Sequence, residues 1–133
     1  MALLLPMLQE PASAEGEQWV PVGKPEIFLK DQPQRVALPE GRVIYVTRRD
    51  EKTFLAVSAK CTHRGCELGW DQPNSQLLCP CHGAAFAPSG KNLHGTSRHP
   101  EEALPALQSV PTRQKEGQVE VNLQGLPPSK LQP

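Results

Sequence analysis

The sequence predicts an all-β domain, and three observations support that prediction. Its apolar residues fall in short runs rich in β-branched and aromatic side chains, a composition typical of strands. Proline is abundant, at 15 of 133 residues, and together with ten glycines it divides the chain into short segments separated by turns. Residues 118–123 alternate apolar and polar side chains, as a strand with one buried face does. A chain of this length is expected to form one domain.

In the first part of the chain, β-type segments alternate with turn signals. A strand is predicted at 18–22, and a short apolar run of the same β character follows at 27–29. A further strand at 35–38 ends in the turn sequence Pro39-Glu40-Gly41.

The strongest strand signals of the chain lie at 43–47 and 53–58. Both segments are apolar and β-branched, and the polar stretch between them has the length of a hairpin loop. We therefore predict an antiparallel hairpin, whose second strand leads through Ala59 and Lys60 to Cys61.

The remainder of the chain contains shorter segments. Residues 64–76 are predicted to form a turn-rich loop rather than a helix, and short strands are predicted at 76–78 and 84–87. The closing strands are predicted at 106–110 and 118–123, with a turn at Glu116-Gly117 between them. The outer strands of the fold thus come from both ends of the chain, with the middle segments inserted between them.

The inserted segment carries all four cysteines of the protein and two of its four histidines. Two short pairs can be drawn, Cys61-x-His63 and Cys79-x-x-His82, and each brings one thiolate and one imidazole to the same point. Two thiolates with two imidazoles form the ligand set of a Rieske [2Fe–2S] centre, in which two histidines replace two cysteines on one iron. Neutral imidazoles leave the oxidised site without net charge, so it accepts an electron more readily than a site with four thiolates.

Two other interpretations use the same residues. Two cysteines and two histidines also suit tetrahedral zinc, although structural zinc motifs usually space their cysteines two to four residues apart. The four cysteines could instead form a small disulfide framework. Four cysteines allow three pairings, and the sequence alone does not choose between them.

The full motif resembles a known family. The sequence Cys61-Thr-His-Arg-Gly-Cys66, followed by Cys79-Pro-Cys-His-Gly83, is similar to the Rieske iron–sulfur proteins, in particular to the branch found in cytochrome bc-type complexes and arsenite oxidase. The resemblance implies that Cys61 and Cys79 hold one iron of a [2Fe–2S] cluster and that His63 and His82 hold the other. It also implies a disulfide between Cys66 and Cys81.

The resemblance further implies a fold and a domain organisation. Rieske proteins have an antiparallel β-sandwich or barrel base with an inserted cluster-binding subdomain. Here the single Rieske domain would span 15–133, with the cluster-binding subdomain at about 59–92.

The implied function is one-electron transfer, as a redox subunit or soluble carrier of a respiratory or photosynthetic-type chain. The protein would be an electron-transfer protein, or the iron–sulfur subunit of an oxidoreductase of the quinol-oxidising or arsenite oxidase type, rather than a stand-alone enzyme. The alternative is a Rieske ferredoxin that feeds an oxygenase, although such ferredoxins normally lack the second cysteine pair. A structural zinc-binding domain ranks below both.

The expected partner is a redox protein, with a quinol as a further candidate. Nucleic acid is not expected, because 14 basic residues balance 14 acidic ones and no basic stretch with interleaved aromatic residues occurs. His94 and His99 are predicted to lie in a polar loop and to face solvent. The segment 95–100 lies where family members carry a loop over the cluster.

Three residues depart from the family pattern. Arg64 stands where members of bc-type complexes usually have leucine at the docking tip. Ala84 and Phe86 stand where high-potential members have serine and tyrosine. The missing hydroxyl groups predict a lower reduction potential, and the charge at the tip favours a carrier over a quinol-binding subunit.

The N-terminal residues 1–14 resemble the end of an export signal. An apolar run precedes the small-residue sequence Ala12-Ser13-Ala14, but the usual positive segment before it is missing, as in a truncated signal. We therefore expect an exported protein in a periplasmic, lumenal or other extracytoplasmic location, associated there with a membrane complex. No segment approaches the roughly 20 apolar residues of a membrane helix, so no membrane span is expected.

Overall fold

The computed structural model describes residues 17–128, so the predicted export signal at 1–14 lies outside the described residues. Ten strands, in chain order, are β1 (Trp19–Gly23), β2 (Gln34–Ala37), β3 (Val43–Arg48), β4 (Phe54–Ser58), β5 (Gly69–Asp71), β6 (Gln76–Leu78), β7 (Ala85–Phe86), β8 (Asn92–His94), β9 (Thr112–Lys115) and β10 (Gln118–Asn122). Two 3₁₀ turns lie at Pro25–Ile27 and Pro39–Gly41. Between residues 17 and 128 there is no helix with the length and apolar character to cross a bilayer.

The strands form three antiparallel sheets. The first has the order β1-β10-β9, the second β2-β3-β4, and the third β5-β6-β7-β8. In the first sheet Val20 lies opposite Val121, so the first and last strands pair as predicted. The all-β class, the antiparallel base and the inserted third sheet are therefore confirmed.

The second sheet lies between two hydrophobic cores because its strands bury both faces. Ile44 and Val46 of β3 face a core shared with Val119 and Val121 of the first sheet. Tyr45, on the opposite face of the same strand, contacts the core of the third sheet. Burial on both faces explains why β3 has a continuous apolar sequence, whereas β10 alternates.

The predicted hairpin is confirmed. Strands β3 and β4 pair in antiparallel register from Ile44–Ser58 to Arg48–Phe54, with a five-residue loop between them. The predicted turn at Glu116-Gly117 also occurs and joins β9 to β10.

Three predictions about strands were wrong. The run 27–29 is not a strand, because a 3₁₀ turn begins at Pro25 and only Phe28 turns into the core. The loop predicted at 64–76 contains β5, and the polar segment after residue 91 contains β8 with His94. Neither of these three-residue strands has an apolar sequence, since each is an edge strand of the third sheet.

The closing strand predicted at 106–110 was also misplaced. This segment makes a single bridge, from Ser109 to Val57 of β4, and the partner of β10 is β9 instead. Pro105 and Pro111 bracket the segment and lack backbone N–H groups, so they stop the pairing on both sides.

Because β3 is buried on both faces, truncating an isoleucine in it should cost much more stability than truncating an exposed isoleucine. We expect Ile44→Ala to lower the free energy of unfolding by about 3 kcal/mol, because the fully buried side chain leaves a cavity. The same change at Ile27, which is 49% exposed, should cost less than about 1 kcal/mol. Urea denaturation of both variants measures the difference, and equal losses would contradict the proposed layering.

Candidate metal centre

The two motifs lie on two loops that extend from the strands of the β-sheets. The first loop, 61–66, follows β4 and is closed at its base by the bridge between Lys60 and Glu67. The second loop, 79–84, connects β6 to β7. Ala59 fixes the base of the first loop, since its N–H donates to the carbonyl of Val43 at 2.9 Å and its carbonyl accepts from the N–H of Leu68 at 2.8 Å.

Both loops have the same backbone hydrogen bonds. The N–H of Cys61 donates to the carbonyl five residues later, at Cys66, and the N–H of Cys79 donates to that of Ala84, both at 2.8 Å. The glycine four residues after each cysteine donates its N–H back to that cysteine's carbonyl. Gly65 and Gly83 have φ values of 85° and 87°, a left-handed conformation that favours glycine. The shared glycine spacing is thus a signal in the sequence for two matching loops.

The predicted disulfide is confirmed and joins the two loops. Cys66 and Cys81 are bonded, with their Cα atoms 6.5 Å apart and a sequence separation of 15 residues. A closed loop of that length stabilises the folded state by about 3 kcal/mol in the chain-entropy model. Cys61 and Cys79 remain free.

The two free cysteines are buried and adjacent. Each is only 2% exposed. The pKa of the Cys61 thiol is raised, mainly by burial. A hydrogen bond from the backbone N–H of His63 lowers this pKa in part, and the neighbouring Cys79 thiol raises it further. Two thiolates at this place therefore need a compensating cation, which a metal centre supplies. The Cys79 sulfur also lies within 4.8 Å of both disulfide sulfurs, but those are bonded to each other and are not thiolates.

The two histidines of the motifs meet on the outer side of the cysteines. The ring centroids of His63 and His82 are 4.8 Å apart, with an angle of 79° between the planes. Within the described residues the buried Nδ1 atom of His63 has no hydrogen-bond partner. A buried polar atom without a partner is costly, and a metal ion would satisfy it. His82 is exposed.

The kinds of donor present suit a metal centre with mixed ligands. Each loop contributes one buried thiol, Cys61 or Cys79, and one imidazole, His63 or His82. Cys79 and both histidines also line an open cavity of about 710 Å³ at the loop tips.

A third loop, 95–100, forms another wall of this cavity, at the position where a covering loop was expected. The N–H of Ser97 donates to the carbonyl of His82 at 2.8 Å, and Thr96, Arg98 and His99 also line the cavity. His99 is exposed, as expected, and so is His94, although His94 lies in a strand.

Sequence reasoning missed two residues that support the site. The hydroxyl of Tyr45 in β3 donates to the carbonyl of Leu68 at 3.0 Å in a buried position, so it ties the central sheet to the base of the first loop. Gly95 lets the third loop pack closely, since a Cβ there would collide with the carbonyl oxygens of Glu102 and His99. A polar aromatic residue in a fully apolar strand was the available signal for Tyr45.

Two further aromatic residues flank the site. Phe86 is completely buried in the core beneath the loops. Trp70 is partly buried against the same core, and its indole N–H donates to the side chain of Gln72 at 2.9 Å. Both aromatic side chains therefore belong to the core beneath the loops.

The close packing of the third loop predicts that two glycine-to-alanine substitutions differ in their effect on stability. We expect Gly95→Ala to lower the free energy of unfolding by about 2 kcal/mol, because its Cβ would meet backbone atoms that cannot simply rotate away. Gly69→Ala is the matched control, since no atom lies within 4 Å of a Cβ at that position and the backbone there is ordinary. Denaturation curves of the two variants compare them, and equal stability would contradict the close packing.

Comparison with known proteins identifies relatives over part of the chain. A cytochrome b6-f complex iron-sulfur subunit of Chlorobaculum thiosulfatiphilum is 40% identical over 76 residues, which are 57% of this chain and 36% of that protein. Cytochrome b6-f complex iron-sulfur subunit 3 of Nostoc sp. is 32% identical over 55% of this chain and 44% of its own length. The chain thus spans less than half the length of these curated relatives.

Solved structures share the fold. The plasma membrane Rieske protein PetC3 from Synechocystis superposes with a TM-score of 0.61 at 30% identity, over 77% of this chain and 97% of its own. The ferredoxin of carbazole 1,9a-dioxygenase from Nocardioides aromaticivorans gives a TM-score of 0.54 over 77% of this chain and 95% of its own. Its identity of 15% shows a common fold only.

The family itself is shown by a match along most of the chain. The profile of the Rieske [2Fe-2S] domain matches residues 18–112, which include both loops, their disulfide and the third loop. The chain therefore belongs to the Rieske [2Fe-2S] domain family, and its cofactor is a [2Fe–2S] cluster.

Proposed function

We propose that this protein transfers single electrons through a Rieske cluster whose ligands are Cys61, Cys79, His63 and His82. The two cysteines would hold one iron and the two histidines the other. The observation that carries the proposal is the joining of two matching loops by a disulfide, each loop with one buried thiol and one of two adjacent imidazoles. The bound cluster supplies a one-electron redox couple, whose potential is raised by the histidine ligands.

The residues of the chain prepare this site in three ways. The cysteine pair is shielded from water, the disulfide and the two glycine turns fix the loops, and the exposed His82 brings the site to the surface. A centre whose surroundings are already fixed needs little rearrangement when its charge changes by one unit. We assign this role to the segment 59–92 within one domain spanning 15–133.

We place the protein in a redox complex or carrier step of a respiratory or photosynthetic-type chain. The names of its relatives, which are iron-sulfur subunits of cytochrome b6-f complexes, support this role. The disulfide supports an extracytoplasmic location, because disulfides persist mainly outside the reducing cytosol. Association with a membrane complex is supported by the names of the relatives alone. The disulfide also counts against a role as an oxygenase-type ferredoxin.

The proposed ligands are tested by removing one histidine. We expect His82→Ala to abolish the electron paramagnetic resonance signal of the reduced Rieske centre, because one iron loses an imidazole. His94→Ala is the matched control, since His94 is also exposed but lies in β8, outside the two motif loops. It should keep the signal. A normal signal in His82→Ala would contradict the assignment.

Metal analysis of the purified wild type separates the proposal from a structural zinc site. Two irons and two acid-labile sulfides per chain are expected. One zinc per chain without sulfide would refute electron transfer.

The reduction potential is expected in the lower or middle part of the Rieske range of about −150 to +300 mV. Hydroxyl groups that donate to the cluster would stabilise its more negative reduced state, and neither Ala84 nor Phe86 carries one. Both side chains are completely buried in the core beneath the loops. Water therefore does not replace the missing donors.

Ala84→Ser and Phe86→Tyr should each raise the potential, as measured by voltammetry. Ala85→Ser is the matched control, because Ala85 is equally buried but its side chain lies on the other face of β7. It should leave the potential nearly unchanged. A wild-type potential near the upper end of the range, or no rise in either variant, would refute this explanation.

A further inference from the structure

The arginines of this protein divide into two groups. Five of the seven make an ion pair, a hydrogen bond to a carbonyl or a contact with an aromatic ring; these are Arg35, Arg42, Arg48, Arg49 and Arg113. Arg64 and Arg98 have no such partner among residues 17–128. Both are exposed.

The two arginines without partners lie at the same place. Arg64 follows His63 in the first loop, Arg98 lies in the third loop, and both line the cavity in front of His63 and His82. No aspartate or glutamate is found among the described residues that line this cavity. The net charge of the whole chain is formally zero, so the positive charge at the loop tips is a local concentration.

The two exposed arginines favour an anionic occupant of the cavity. A guanidinium group pairs with a carboxylate through two parallel hydrogen bonds, and a cleft of one sign of charge attracts a partner of the opposite sign. A neutral quinol carries no charge to pair with either arginine, so it would use this site less well than an anion does.

The residues around the cavity favour a protein, and not a membrane surface, as its binding partner. Peripheral membrane sites combine basic residues with apolar side chains that enter the lipid. The large exposed apolar residues of the described chain are Ile27, Leu29 and Leu93, and none of them lines the cavity. Leu78, which is half-buried, and the small ring of Pro80 are the apolar side chains of the lining, and neither forms a large anchor for lipid. Charge without a large exposed apolar side chain is typical of transient docking between proteins, where it steers the encounter.

We propose that Arg64 and Arg98 form a cationic rim that docks the electron partner, a redox protein with an acidic patch around its own redox group. Docking would place that group against the exposed edge of His82. This inference rests on the proposed function, but it concerns only the choice of partner.

The first test measures how salt affects electron transfer to two small oxidants. In each reaction one electron leaves the reduced cluster, and ferricyanide becomes ferrocyanide or tris(phenanthroline)cobalt(III) becomes the cobalt(II) complex. The wild-type rate with anionic ferricyanide should fall about tenfold from low to high ionic strength, because salt screens the attraction. The rate with the cationic cobalt complex should rise instead.

The double variant Arg64→Gln/Arg98→Gln should lose most of both salt effects. Its matched control is Lys24→Gln/Lys115→Gln, which removes the same net charge at exposed positions that do not line the cavity. The control should retain the wild-type dependence. Equal salt dependence in the two double variants would overturn the proposal.

A binding measurement provides a readout that does not depend on electron transfer. Labelled poly-L-glutamate should bind the wild type and the lysine control several-fold more tightly than the arginine variant, as measured by fluorescence anisotropy. Binding unaffected by the arginine changes would overturn the proposal. So would arginine-dependent sedimentation with phosphatidylglycerol vesicles in the absence of arginine-dependent binding to poly-L-glutamate.

The visible and electron paramagnetic resonance spectra distinguish failure of the proposed function from failure of the proposed docking surface. A wild type without a Rieske spectrum would refute the proposed function. A normal spectrum in every variant, together with equal salt dependence, would refute only the docking surface.

Discussion

The disulfide between Cys66 and Cys81 is the contact on which the site depends, because it holds two loop tips that come from different sheet connections. Each loop is short and closed by its own backbone hydrogen bonds, so each is rigid by itself. Rigidity within a loop does not fix its position relative to the other. The covalent link does so, and it holds together two loops that each carry one buried thiol and one of the two adjacent imidazoles.

The loops in turn need a firm base, which the second sheet supplies. Because β3 and β4 bury both faces, they join the core between the base sheets to the core beneath the loops. Tyr45 is the clearest link, since its ring packs in the core beneath the loops and its hydroxyl donates a hydrogen bond to the carbonyl of Leu68. A redox centre benefits from such a base, because atoms that do not move need not be reorganised when the charge changes.

The sequence predicted the parts of the fold whose signals are local. The hairpin of β3 and β4 follows from two β-branched segments and a short polar loop, and the two motifs follow from cysteine and histidine spacing together with the family resemblance. Strands β5 and β8 were missed because they have three residues each and little apolar character. The strand predicted at 106–110 fails because two prolines end its pairing, an effect that composition alone did not reveal. Local sequence also could not show that Arg64 and Arg98 line the same cavity, since they are 34 positions apart in the chain.

The central claim is that one histidine from each loop binds the same iron. The most direct measurement is pulsed electron paramagnetic resonance on the reduced protein after labelling its histidines with ¹⁵N. Two strongly coupled imidazole nitrogens with different couplings are predicted, because His63 is partly buried and His82 is exposed. A spectrum with one coupled imidazole nitrogen, or with none, would contradict the account.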